Sequence, residues 1–403
     1  MINDEIIKKI GEKYRTPFYL YDIGEIVNHA KKLQNSIFDN AEMFYSMKAN
    51  PAKEIIRLLV DIGYGVEVAS MGEMKIALEA GVKPINVIFT GPGKEKEELE
   101  YAIEKDIYCI NVESLQEIIL INEIATRLGK IINIGIRINF QYKRSGKISM
   151  VGNTQFGICL SEVPTAIECL KKMKNIKLIG FHVYMGTQIL EAGELLQNVE
   201  NIILVAFKLA DQYDIKISYL NFGGGFGVNY FKNERELNMN EVRRGLDKIY
   251  NKYSKLNNVE RIIFESGRYV LAEAGFFVTK VLYTKEVEEK KYIICDGGSN
   301  FHSSAAFLGR FVRNNFPMHS ISKSNNTEVV TIVGNLCTPT DVIGQSVEIN
   351  CATVNDYIVI EKSGAYGLTY SPHSFLCHRL PKEILYDNNE CYEINNCDNG
   401  LKY

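Results

Sequence analysis

Apolar, β-branched runs recur along the first two-thirds of the chain, at 43–48, 65–70, 87–90, 107–112, 132–138, 178–185, 219–222 and 262–264. They read as eight strands. The stretches between them carry helical spacing; Leu195, Val199, Ile202, Ala206 and Leu209, for example, all fall on one helix face. Gly81 and Gly129 follow periodic segments where glycines end helices. Eight strands alternating with helices over about 240 residues have the rhythm of a (β/α)8 barrel, with a doubly wound open sheet as the alternative.

Past Gly275 the rhythm changes. Runs at 277–282, 291–295, 329–333 and 357–361 read as strands with few helices between them, and 322–327 reads as a solvated loop. The expected organisation is therefore a barrel over 25–275 and a β-rich domain assembled from 1–24 and 276–403. No fixed-period repeat or low-complexity segment interrupts it.

Composition adds mostly exclusions. Hydrophobic residues make up 46% of the 403 and charged residues 24%, and the formal charge of -3 gives no reason to expect a nucleic-acid partner. The first residues lack the basic start and apolar core of a signal peptide, and the run 202–207 is too short to span a bilayer, so a cytoplasmic protein without membrane association is expected. Nine scattered cysteines form no C-x-x-C pair, which favours reduced thiols and no structural metal.

In a barrel of this kind, chemistry gathers at the carboxyl ends of the strands. Six of the eight runs end on such residues: on Lys48, on Glu67 and Ser70, on Arg137 and Asn139, on His182, on Gly223-Gly224-Gly225, and on Glu265-Ser266-Gly267-Arg268. Lys48 could anchor an aldehyde cofactor covalently, or simply reach solvent. The triple glycine lets backbone amides approach a phosphate, although glycine clusters also make tight turns; Arg268 beside Gly267 adds a guanidinium suited to a phosphate monoester. Glu265 is either an ordinary carboxylate or a partner that keeps a heterocycle nitrogen protonated. His182 is either a core histidine or a flat face for stacking, and Arg137, inside a strand, calls for a buried partner. In the β-rich part, Cys337 in Gly334-Asn335-Leu336-Cys337-Thr338-Pro339 is a candidate proton donor or a small buried hydrophobe. Tyr366, between glycines in Ser363-Gly364-Ala365-Tyr366-Gly367, is a candidate phosphate or substrate contact, or a core tyrosine.

Taken together, these motifs resemble the alanine-racemase-like, fold type III family of pyridoxal 5'-phosphate-dependent decarboxylases, which includes the diaminopimelate and ornithine decarboxylases. The resemblance runs from Thr16-Pro17-Phe18-Tyr19-Leu20-Tyr21-Asp22 to Pro381-Lys382-Glu383. It implies that Lys48, in Ser46-Met47-Lys48-Ala49-Asn50, binds the cofactor covalently and that His182 stacks on its ring. It further implies that Glu265 pairs with the ring nitrogen, and that Gly223, Gly224, Gly225, Gly267 and Arg268 form the phosphate site with Tyr366 nearby. Cys337 resembles the cysteine that the second subunit of a dimer contributes to reprotonate the decarboxylated carbon. Arg268, Cys337, Thr338 and Tyr366 then become the expected substrate contacts.

Two features separate the chain from typical diaminopimelate decarboxylases. Cys337-Thr338-Pro339 replaces their Cys-Glu-Ser, and 296–304 carries no arginine after the Asp-x-Gly segment. A charged distal end of a free substrate loses its expected partners, each worth a few kcal/mol if buried. Gly91-Pro92-Gly93-Lys94, Glu265-Ser266-Gly267-Arg268 and the segment 181–188 look more like the branch containing the L-glutamyl-[acyl-carrier protein] decarboxylase of butirosin biosynthesis. The resemblance thus implies a small amino acid or a carrier-linked aminoacyl substrate. Arg310, Arg313, Lys143 and Arg144 are either solvated loop charges or contacts to an acidic carrier. A diaminopimelate decarboxylase, an amino-acid racemase and a non-catalytic cofactor-binding regulator are the alternatives.

Overall fold

The computed structural model describes residues 2–140, 154–184, 186–306 and 314–394. By internal contacts the chain divides into two compact units, one of residues 30–228 and 236–267, the other of residues 1–29, 229–235 and 268–403.

The first unit is a closed barrel. Its strands are β1 (Ala41–Ser46), β2 (Gly65–Val68), β3 (Val87–Thr90), β4 (Cys109–Val112), β5 (Ile132–Asn139), β6 (Ile176–His182), β7 (Tyr219–Asn221) and β8 (Arg261–Ser266). Each pairs in parallel with its sequence neighbour, and β8 pairs with β1 through Ile262 opposite Ala41 to Ser266 opposite Tyr45. The doubly wound alternative is excluded by that closure. Strands buried on both faces need apolar side chains throughout. That is why β2, β3 and β4 are buried along their whole lengths and stand out in the sequence.

The helices between strands start and stop on local signals. Ser70 accepts from the Glu73 amide at the start of Met71–Glu79, and Ser114 accepts from the Glu117 amide at the start of Leu115–Leu128. Gly129, at φ 63°, closes the latter helix in the left-handed conformation that glycine adopts without penalty. The first apolar run ends earlier than its hydrophobicity suggests. Strand β1 stops at Ser46, and Lys48 sits in a single 3-10 turn, Met47–Ala49. Lys48 therefore lies past the last paired residue of the strand that leads to it.

The second unit is built on a nine-stranded mixed sheet. Phe18–Asp22 lies within it, antiparallel to Gly275–Val287 and parallel to Lys382–Asp387. Ile7 and Ile10 of the first helix pack with Phe18, Leu20, Val278, Val359 and Ile384 in its core. Among the described residues, four strands escape the apolar pattern: Met318–Ile321, Val342–Asn350, Lys382–Asp387 and Glu390–Ile394. Val342–Asn350 alternates buried and exposed positions and carries a glycine, and Glu390–Ile394 is mostly exposed, so neither forms a continuous apolar run. Among the described residues no helix is long and apolar enough to cross a membrane.

Candidate active site

The polar residues of the barrel unit converge at the carboxyl ends of its strands. Lys48 Nζ lies 3.1 and 3.3 Å from the two carboxylate oxygens of Glu67, which follows from β1 and β2 being paired neighbours with Ser46 opposite Glu67. The ion pair is asymmetric, with the lysine side chain 42% exposed and the glutamate 2%. Glu67 is thus buried in the barrel while the ammonium reaches toward solvent.

Glu265, near the end of β8, is buried and accepts a hydrogen bond of 2.8 Å from the Asn221 amide of β7. Asn221 Oδ1 in turn accepts from the Gly223 amide at 2.7 Å, so one side chain ties the carboxylate to the start of the glycine run. Burial, followed by the neighbouring negative charge of Glu67, pushes the Glu265 carboxyl up to about 7; Lys48, Asn221 and Arg137 pull the other way. The buried His182 at the end of β6 has its Nε2 3.8 Å from Glu265 Oε1, beyond hydrogen-bonding range. Neither of its ring nitrogens has a hydrogen-bond partner among the described residues. Burial, and then the positive charges of Arg137, Lys48 and Lys94, force its pKa well down, so the ring is neutral.

Arg137 does have the buried partner its position requires. Its Nη1 is 2.7 Å from Glu113 Oε1, both side chains are buried, and the guanidinium lies 5.0 Å from the Phe156 ring centroid. Glu113 also accepts from the Gly157 amide at 2.8 Å. Replacing Arg137 with methionine strands a buried carboxylate that keeps a single amide donor among the described residues, so urea denaturation should show a loss of about 3 kcal/mol. Adding Glu113→Gln in the same chain should recover part of it.

The glycines have two distinct uses. Gly225 takes φ 119°, and a Cβ there would stand 2.6 Å from the Gly186 carbonyl; a Cβ on Gly267 would stand 2.6 Å from Ala49 Cβ and 2.8 Å from the Ser46 carbonyl, against the turn that carries Lys48. Both positions are therefore closed to other residues by packing alone. Beyond packing, the Gly224 and Gly225 amides donate to no acceptor among the described residues, which leaves two N–H groups for an anion.

Arg268 and Tyr366 belong to the β-rich unit, where the guanidinium lies 4.6 Å from the Tyr366 ring centroid. Tyr230, which sequence reasoning did not single out, receives a hydrogen bond of 3.1 Å from Arg268 Nη1. Cys337 is exposed on a turn of the same unit rather than being a buried hydrophobe. The buried Asp341 holds that turn by accepting from the amides of Leu336 and Ser299, and Thr338 bonds Thr340. Lys143, Arg144, Arg310 and Arg313 lie outside the described residues.

Among the described residues, a neutral buried imidazole without partners, a buried carboxylate near its protonation point, two undonated glycine amides and a lysine at the rim fit a phosphorylated aromatic aldehyde. Lys48, His182, Glu265 and Gly224-Gly225 could respectively bind its aldehyde, face its ring, share a proton with its nitrogen and take its phosphate.

Comparison with known proteins supports the same reading. Residues 23–272 match the family model of the pyridoxal-dependent decarboxylase, pyridoxal binding domain. The chain is 36% identical over 396 residues to the L-glutamyl-[BtrI acyl-carrier protein] decarboxylase of Niallia circulans, covering 96% of this chain and 92% of that protein. It is 34% identical to the 2-[(L-alanin-3-ylcarbamoyl)methyl]-2-hydroxybutanedioate decarboxylase of Staphylococcus aureus, covering 91% and 93%. The crystal structure of diaminopimelate decarboxylase from Helicobacter pylori in complex with L-lysine superposes with a TM-score of 0.86 at 27% identity, covering 96% and 95%. The chain belongs to the pyridoxal-dependent decarboxylases, and its cofactor is pyridoxal 5'-phosphate.

Proposed function

We propose that this enzyme removes the α-carboxylate of an amino acid whose side chain is already joined to a larger group, with an L-glutamyl unit carried on an acyl-carrier protein as the first candidate. The observation that carries the reading is the barrel-end cluster, in which a partly exposed Lys48 ammonium rests on a buried Glu67 beside a buried Glu265 whose carboxyl is pushed up to about 7. When bound, pyridoxal 5'-phosphate supplies an acceptor for the electron pair that the departing carboxylate leaves on the α-carbon.

The chain's own residues do the rest. Lys48 holds the cofactor covalently and gives way to the substrate amine. Glu265 keeps a proton on the ring nitrogen, His182 presents a neutral face to the ring, and the Gly224 and Gly225 amides with Arg268 and Tyr366 take the phosphate and substrate anions. Cys337, supplied by the partner in a homodimer, returns a proton to the α-carbon, so one proton is consumed for each carbon dioxide released. An exposed thiol on a turn held by Asp341 suits a group that serves another subunit.

The substrate class follows from two supports. Cys337-Thr338-Pro339 offers no carboxylate for a distal ammonium. The names of the Niallia and Staphylococcus relatives both describe an amino acid conjugated through its side chain. Free diaminopimelate is the second reading, favoured by the Helicobacter structure. With L-glutamyl-[acyl-carrier protein] and meso-diaminopimelate offered separately, mass spectrometry should show carbon dioxide loss from the former, with kcat/KM higher by roughly 100-fold. Preference for diaminopimelate would reverse the substrate assignment, and racemised product without carbon dioxide would replace the reaction itself.

A further inference from the structure

After the glycine run the chain enters the β-rich unit, and residues 229–235 belong there by their contacts. Lys362 fastens this segment. Its Nζ donates to the Asn229 carbonyl at 2.7 Å, to Asn229 Oδ1 at 3.1 Å and to Glu273 at 2.7 Å. The next residue, Tyr230, is buried, with its ring 4.8 Å from that of Phe316, which packs edge-on against His302.

The Tyr230 hydroxyl accepts from Arg268 Nη1 at 3.1 Å, and the guanidinium lies 5.6 Å from the Tyr230 ring centroid and 4.6 Å from that of Tyr366. Tyr366 is itself held in an unusual backbone conformation, at φ 57°, where Ser304 Oγ donates to its carbonyl at 2.6 Å. A guanidinium recognises an anion through the direction of its planar fork, so two ring faces and a hydroxyl at one corner restrict which edge it presents.

We propose that Tyr230 is a positioning residue for Arg268, orienting the guanidinium toward an anionic group, and that the Lys362–Asn229 contact keeps Tyr230 in place. This rests on the reading of Arg268 as a binding residue of the decarboxylase site. The anion is the cofactor phosphate or the substrate carboxylate, and the two have separate readouts. Tyr230→Phe removes the hydroxyl and keeps the ring. In the holoenzyme it should raise either the dissociation constant of pyridoxal 5'-phosphate or the KM for L-glutamyl-[acyl-carrier protein] by about tenfold, with kcat nearly unchanged. A rise in the first assigns the phosphate, and a rise in the second assigns the carboxylate.

The decisive comparison is Tyr230→Phe in an Arg268→Lys background, where the substitution should have no further effect because the group it orients is gone. Lys362→Met, which loosens the same segment without touching Arg268, should shift the same constant in the same direction by a smaller factor. Equal Tyr230→Phe penalties in both backgrounds would overturn the proposal. So would a fall in thermal midpoint with both constants unchanged, since that marks a purely structural tyrosine. If the wild-type enzyme released no carbon dioxide, the decarboxylase reading would fail, yet the cofactor-affinity cycle would still test the coupling of Tyr230 to Arg268.

Discussion

Alanine at position 48 should abolish the visible absorption of the bound cofactor and lower turnover on the order of 10⁴-fold, because the group that holds the aldehyde and later exchanges with the substrate amine is gone. The local geometry predicts a second effect. Lys48 acts on two buried carboxylates: its Nζ contacts Glu67 at 3.1 Å, and its charge restrains the upward shift of Glu265. Without it, Glu67 and Glu265 repel each other with less compensation, so the barrel should also lose some stability at neutral pH. Lys48→Arg separates the two roles. A guanidinium can still accompany Glu67 but does not bond an aldehyde, so the arginine variant should stay near wild type in urea denaturation while lacking the absorption band. A Lys48→Ala protein with an unchanged spectrum would remove Lys48 from the site.

The sequence carries much of this site, for a physical reason. Strands buried on both faces must be apolar, so a polar residue that ends such a run is conspicuous; Lys48, His182, Glu265 and the triple glycine could all be located in this way. What remains hidden is pairwise. Nothing local marks Glu67 as the partner of Lys48, Glu113 as the partner of Arg137, or Asn221 as the link between Glu265 and Gly223; each contact exists because neighbouring strands share a register. Tyr230 is hidden further still, since its meeting with Arg268 joins residues 38 positions apart. The 3-10 turn carrying Lys48 also escaped, because Met47 and Ala49 extend the apolar run of β1 beyond the residue where pairing stops. In the β-rich unit, exposure explains one loss: Glu390–Ile394 has one buried residue and no apolar period to read.

Glu265→Gln should reduce turnover by about 10²- to 10³-fold, the usual cost of removing one preorganised charge from a water-excluded site. Glutamine preserves volume and can still meet Asn221, so cofactor binding should persist with an altered spectrum; loss of binding altogether would mean that Glu265 is structural. The pH dependence of stability gives an independent check in the cofactor-free enzyme. Burial and the charge of Glu67 raise the Glu265 pKa from its ordinary 4.5 to about 7, so the folded chain binds this proton more tightly than the unfolded chain does. The resulting stabilisation is fully present below about pH 4.5 and is lost as pH rises through about 7, a contribution on the order of 3 kcal/mol. Between about pH 5 and about pH 8 the unfolding free energy of the glutamine variant should therefore fall less steeply than that of wild type. Equal slopes would show that Glu265 is already ionised in the folded cofactor-free protein. In that case Lys48 and Arg137 compensate its burial, and the proton on the ring nitrogen would have to arrive with the cofactor rather than wait on the carboxylate.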